Sequence, residues 1–206
     1  MRHRSKLLIM VLMWLSCTAS ASTQEQLLTL LNNTTSIQAS FTQVTRDRSG
    51  EEVNRSDGEM AVDQGGKFNI HTLEPFVQHL VSNGEDFYTF DVDLEQVVVR
   101  PLVKDANQVP ILLLGDASPE FLQGFHITYV EEETHSIYHL QARDPGSVFE
   151  RLNLIFVGNQ PSGITLRDSL GQTTEIQLAD VVINESLPAT RFEFVVPEGV
   201  DLIDDR

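Results

Sequence analysis

Histidines, paired carboxylates and nucleophile signatures are the places where chemistry would show first in this sequence. Beyond residue 21 there are five histidines, His71, His79, His126, His135 and His139, and none stands in an H-E-x-x-H pair. His135 and His139 fall near Glu131, Glu132 and Glu133, residue types that can ligate a metal. The same spacing fits the two sides of a solvated hairpin turn, and that is the expectation adopted, with no metal site. Asp91 and Asp93 form a close acid pair of the kind used in general acid–base catalysis. In a chain with 30 acidic residues such spacing arises freely. The sequence contains no G-x-S-x-G, no glycine-rich phosphate loop and no cysteine placed as a nucleophile. No cofactor is expected, and the residues point to binding rather than to an enzyme.

A binding site here would have to be positioned by strands. Residues 76–102 set the pattern. The apolar-rich run 76–82 is followed by Asn83-Gly84, which suits a tight type I′ hairpin because both types tolerate positive φ. Residues 87–92 are aromatic and β-prone, Asp93-Leu94-Glu95 breaks them, and 96–100 is rich in β-branched residues. The rest of the chain repeats this meander. Residues 36–45 alternate with Ile37, Ala39 and Phe41 on one face. Met60 and Val62 mark a second strand, and 67–73 a third in which Phe68, Ile70 and Thr72 share a face. Further strands are expected over 125–130, 137–142, 151–157, 163–167, 173–182 and 191–196, separated by turn chemistry at regular spacing.

Helical signals are few. Residues 23–32 place Leu27, Leu28, Leu30 and Leu31 on one broad face, and Thr23 can cap the start. Pro110 can open a short helix and Gly115 can end it. Between them residues 111–114 are apolar on every side, so this turn must be buried or cover something apolar. Residues 119–125 suggest a second short piece.

The first 21 residues read as an export signal. Arg2, Arg4 and Lys6 precede an apolar stretch too short to span a bilayer, and Ala19-Ser20-Ala21 is a cleavage site. The expected product is residues 22–206, one domain. Cys17 stands where a lipidated cysteine could, but Trp14 fits a lipidation box poorly. With Cys17 in the leader, the exported chain has no cysteine and no disulfide. Its stability must come from a core, and a chain of this size can bury roughly 70% of its unfolded surface.

Charge narrows the partners. Residues 1–21 hold three of the 14 basic residues and none of the 30 acidic ones, so residues 22–206 carry a net charge of −19. Such a surface repels nucleic-acid backbones and anionic membranes. A curled antiparallel sheet with an apolar concave face, capped by short helices, would instead make a lipid pocket. The candidate lining is Phe41, Met60, Val62, Phe68, Ile70, Leu80 and Tyr88, with Ile111, Leu112 and Leu114 as a lid. Alternation alone does not separate a cavity from a filled core.

An ordered set of short motifs goes further. Ala39-Ser40-Phe41-Thr42-Gln43 follows the first helix, and Gly58-Glu59-Met60 opens the next strand. Phe68, His71 and Pro75 lead into Leu80-Val81-Ser82-Asn83-Gly84. Asp93-Leu94-Glu95-Gln96-Val97 is the most distinctive stretch, followed by Pro110-Ile111-Leu112-Leu113-Leu114. Asp168 with Gly171-Gln172-Thr173 comes late. Phe192, Phe194, Pro197, Gly199, Val200 and Asp201 close the chain. Together these resemble the periplasmic outer-membrane lipoprotein carriers, the LolA family, over nearly all of residues 22–206.

The resemblance implies a mainly β fold, an unclosed antiparallel half-barrel with short α-helices as a lid over an apolar cavity. It implies a monomeric periplasmic carrier of acylated lipoproteins, loaded by an inner-membrane ABC exporter and emptied by an outer-membrane receptor. One departure stands out. Gln64-Gly65 occupies the place of an Arg-Pro pair, and Asn69-Ile70 that of an aromatic pair. In the family the arginine is associated with latching the lid helix, so Gln64, uncharged, implies a weaker or different latch. Two alternatives share the fold: a lipid-anchored receptor, which would need an acylated Cys17, and a carrier of another lipid or glycolipid. A lipid hydrolase would need a nucleophile–base set that the sequence does not display.

Overall fold

The computed structural model describes residues 22–102, 113–114 and 119–206. It opens with α1 (Thr23–Asn32), capped by Ser22 rather than by Thr23. The Glu25 N–H donates to Ser22 Oγ at 3.2 Å, and the Ser22 N–H donates to Glu25 Oε2 at 2.8 Å. This reciprocal capping box satisfies two backbone donors that a helix start otherwise leaves open. Leu27 and Leu31, one turn apart, are fully buried.

Twelve strands follow among the described residues: β1 (Ser36–Arg46), β2 (Glu52–Asp63), β3 (Lys67–Glu74), β4 (Gln78–Asn83), β5 (Asp86–Asp91), β6 (Gln96–Pro101), β7 (Phe125–Glu131), β8 (Ser136–Ala142), β9 (Phe149–Val157), β10 (Gln160–Asp168), β11 (Thr173–Ile183) and β12 (Asp201–Asp204). A short helix α2 (Pro119–Gln123) precedes β7. They form one sheet in the order β12-β6-β5-β4-β3-β2-β1-β11-β10-β9-β8-β7. Strand β1 joins the two meanders by pairing with both β2 and β11. The end strands β7 and β12 do not pair with one another, so the barrel is unclosed, as expected.

The inner face of the sheet carries the main core. Leu27 and Leu31 of α1, Leu122 of α2 and Leu113 and Leu114 form one cluster with Ile37, Phe68, Leu140, Leu152, Leu154 and Phe156. Each such side chain contributes about 1.5–3 kcal/mol on burial. The outer face has a second, smaller apolar layer. Ala61, Val81, Val97 and Val99 are buried there, beneath the segment that follows β11. A 3-10 turn (Ala189–Phe192) packs against β3 and β4, and Phe192 is 2% exposed. Asn69 Nδ2 donates to the Arg191 carbonyl at 2.8 Å.

Two sequence expectations are corrected. Residues 191–196 are not a strand. Phe192 and Phe194 are used to press the segment flat against the outer face, which removes its backbone from a sheet edge. The terminal strand lies further on, at β12, and pairs in parallel with β6. The β4–β5 connection is not a two-residue type I′ turn either. Ser82 pairs with Phe87, leaving a four-residue loop. In it only Gly84 has positive φ (98°), while Asn83 Oδ1 accepts from the Glu85 and Asp86 N–H groups. Asn83 works as an Asx-turn acceptor here, not as a left-handed residue.

Candidate functional site

Strand register fixes which residues share the inner face. One row runs Met60–Ile70–Leu80 across β2, β3 and β4. The next row outward runs Phe41–Gly58–Thr72–Gln78–Asp91 across β1 to β5. Gln43 and Ser56 are paired and extend the same face. These rows bound a cleft of about 400 Å³. That is within the size range of small-molecule sites, roughly 300–1,000 Å³. Ile176 of β11, with Pro75 and Phe76 of the β3–β4 connection, completes its apolar wall. Phe76 is 67% exposed, a large aromatic at the rim with little protein cover.

Of the expected lining residues, Phe41, Met60, Ile70 and Leu80 meet in this cleft. Val62 and Phe68 lie on the same face, one row further in. They are 1% and 0% exposed, and Phe68 meets Phe87 edge-on at 5.4 Å. They are filled core, not cavity wall. Tyr88 is on the other side of the sheet, since it pairs with Val81 and Val99. There it stacks on Phe194 with ring centroids 5.3 Å apart. The physical reason is the two-residue period of a strand: Phe87 and Tyr88 are adjacent, so only one can face inward.

Leu114, expected in the lid, is 1% exposed and belongs to the same inner cluster as Phe41, Met60 and Ile70, as does Leu113. Ile111 and Leu112 lie outside the described residues. Gln64 stands in the β2–β3 turn. Its N–H donates to the Thr35 carbonyl at 3.2 Å and to Asp63 Oδ1 at 2.9 Å. Its side chain is exposed and makes no hydrogen bond among the described residues.

Sequence reasoning passed over the polar part of the cleft: Gln43, Asn54, Ser56, Thr72, Gln78 and Asp91. The alternation that selected Phe41 and Leu80 reaches Gln43 and Gln78 two residues away, so the signal was present. Among the described residues Asp91 is the single ionisable group in the lining. Its Oδ1 also accepts from the Leu94 N–H at 3.1 Å and caps the β5–β6 turn.

The expected hairpin at His135 and His139 is there. His135 Nε2 approaches Glu132 Oε2 at 3.0 Å across the turn, and His139 Nδ1 meets Asn153 Oδ1 at 2.8 Å. The two histidines have separate partners and do not converge on a common point.

Comparison with known proteins places this geometry. The family model described as outer membrane lipoprotein carrier protein LolA matches residues 32–195. An outer-membrane lipoprotein carrier protein of Chromohalobacter salexigens is 35% identical over 191 residues, covering 92% of this chain and 91% of its own. Another from Pseudomonas aeruginosa is 36% identical over 181 residues, covering 88% and 87%. Among solved structures, a LolA superfamily protein of Nitrosomonas europaea superposes with a TM-score of 0.50 at 15% identity, over 84% of this chain and 99% of its own. An uncharacterized conserved protein of Thermus thermophilus gives 0.54 at 13%, over 89% and 99%. These two support the fold alone. An unclosed sheet with an apolar inner cleft and this extent of sequence match make the chain a member of the LolA outer membrane lipoprotein carrier family.

Proposed function

We propose that residues 22–206, freed of an export signal at 1–21, act in the periplasm as a carrier of acylated lipoproteins. The family is one of carriers, not enzymes. The observation that carries the reading is the inner cleft, floored by an apolar row (Met60, Ile70, Leu80) on a sheet of this family. A lipoprotein released from one membrane exposes its acyl chains to water. Each CH₂ that a protein buries recovers roughly 0.8 kcal/mol. Phe41, Met60, Ile70 and Leu80 would take the chains, and residues about Leu113 and Leu114 would cover them. Loading by an inner-membrane ABC exporter and release to an outer-membrane receptor belong to the same proposal. Among the described residues no helix is long and apolar enough to cross a membrane, consistent with a carrier that moves between two of them.

Native mass spectrometry of the periplasmic protein, with denaturing intact mass alongside, tests the reading. A chain beginning at Ser22 that carries a lipoprotein supports it. A chain beginning at an acylated Cys17 makes it an anchored receptor. A Ser22 chain that carries only glycolipid keeps the fold and overturns the cargo.

A further inference from the structure

The polar part of the cleft carries more information than its apolar floor. Gln43, Asn54, Ser56, Thr72 and Gln78 face the cleft, and none of their side chains has a hydrogen-bond partner among the described residues. Ser56 is only 8% exposed. These are neutral donors and acceptors left open to a ligand, on the solvent side of an apolar row. They match the carbonyl oxygens of esters and amides and the hydroxyl of a glyceryl group.

The one charge in the lining, among the described residues, is negative. Asp91 stands at the end of the outer row, directly paired with Gln78. None of the described lysines or arginines lines the cleft. A cation on the same face, Arg100, is further along β6, with its guanidinium carbon 4.9 Å from the centre of the Phe87 ring. A phosphate needs cations or a helix N-terminus around it. Here it would meet a carboxylate at close range in a partly apolar setting, where repulsion is poorly screened.

The geometry points to Asp91 as a specificity-determining residue that admits uncharged acyl glycerides and rejects anionic phospholipids of the same chain length. This rests on the acyl-carrier reading above. It gives that reading a selectivity the carrier needs, because a periplasmic acyl pocket meets membrane phospholipid in large excess over any cargo. Asp91 also caps its turn through Oδ1. Asparagine retains that acceptor and loses the charge, so Asp91→Asn separates the two roles.

The test compares two probes that share one acyl chain, 1-palmitoylglycerol and palmitoyl-lysophosphatidylglycerol. Each is titrated below its micelle concentration against residues 22–206 by displacement of a fluorescent fatty acid. The expected result is at least ~10-fold preference for the neutral glyceride, shrinking as salt rises. Asp91→Asn should narrow it to ~3-fold or less. Asp93→Asn makes the same change in net charge outside the cleft and should leave the preference near the wild-type ratio. Equal affinity of the wild type for both probes overturns the inference, as does equal narrowing by the two variants. Binding of neither probe overturns the acyl-carrier reading itself, a result distinct from binding both alike.

Discussion

The Phe41 ring lies directly against the Cα of Gly58, its paired residue across β1 and β2. A β carbon at Gly58 would stand 2.7 Å from Phe41 Cζ and 2.2 Å from the His71 carbonyl oxygen. Both distances are below any real contact, and the second neighbour is backbone. Gly58 is therefore required where it is, by the aromatic that covers it and the strand that flanks it. The pair shapes one wall of the cleft, because Phe41 can lie flat only over a residue without a side chain.

Gly58→Ala is expected to destabilise the fold by about 1–3 kcal/mol, the cost of overpacking a filled site. It should also weaken acyl binding by lifting Phe41 into the cleft. Urea denaturation reads the first effect and displacement of a fluorescent fatty acid the second. Unchanged stability would mean that the β1–β2 pair is looser than its register indicates.

Phe192 anchors the segment that crosses the outer face. Its replacement by Ala should cost roughly 3 kcal/mol, the usual range for a large buried aromatic. Binding at the inner cleft should fall much less, since the two apolar layers lie on opposite sides of the sheet. A shift in the urea midpoint with near-normal affinity, measured where the variant is still folded, is the expected pattern. Loss of binding in step with stability would show that the two faces are coupled.

His79 should make stability depend on pH. Its ring stacks on His71 at 3.9 Å and on Phe90 at 5.8 Å, and Glu59 pairs with His71 on the next strand. Burial, and then the charge of His71, hold the His79 imidazole below its ordinary 6.5. The unfolded chain therefore takes up this proton more readily than the folded one. The contribution is complete above pH 6.5 and is lost as pH falls through the lower, folded value. Denaturation midpoints measured between about pH 7 and 5 should decline, and His79→Phe should flatten that slope. A wild-type slope that persists unchanged in the variant would assign it to other groups.

Gln64 bears on release. Its exposed amide has no hydrogen-bond partner among the described residues. Gln64→Arg would add a charged fork able to bind carbonyl oxygens, and charged hydrogen bonds are about twice as strong as neutral ones. Release of a bound acyl probe should slow by ~5-fold or more in stopped-flow displacement. Identical release rates would remove Gln64 as a latch position.

Much of this protein was legible in the chain itself. Helix α1 falls at its expected bounds because leucines at helical spacing give one apolar face. Most strands fall where alternation and turn residues put them, since side chains on a strand must alternate between core and solvent. Phe41, Met60, Ile70 and Leu80 could be assigned to one surface by parity within their own strands. The motif set from residue 39 to 201 was enough to place the family.

Other features were decided only by tertiary contact. Residues 87 and 88 are both aromatic, and nothing local says which faces inward. The pairing of Ser82 with Phe87 settled it, sending Tyr88 to the outer face. Residues 191–196 have strand-like alternation. A second apolar layer already existed over Ala61, Val81, Val97 and Val99, so Phe192 and Phe194 were drawn to cover it, and β12 formed further on, with aspartates that local propensity disfavours at both of its ends. Val62 and Phe68 became filled core while Ile70 and Leu80 kept an open side. Alternation fixes the face of each residue, but the depth of each row beneath the helices depends on how the sheet curls. That curl is set by twist and register summed over many strands, and no single stretch of sequence contains it.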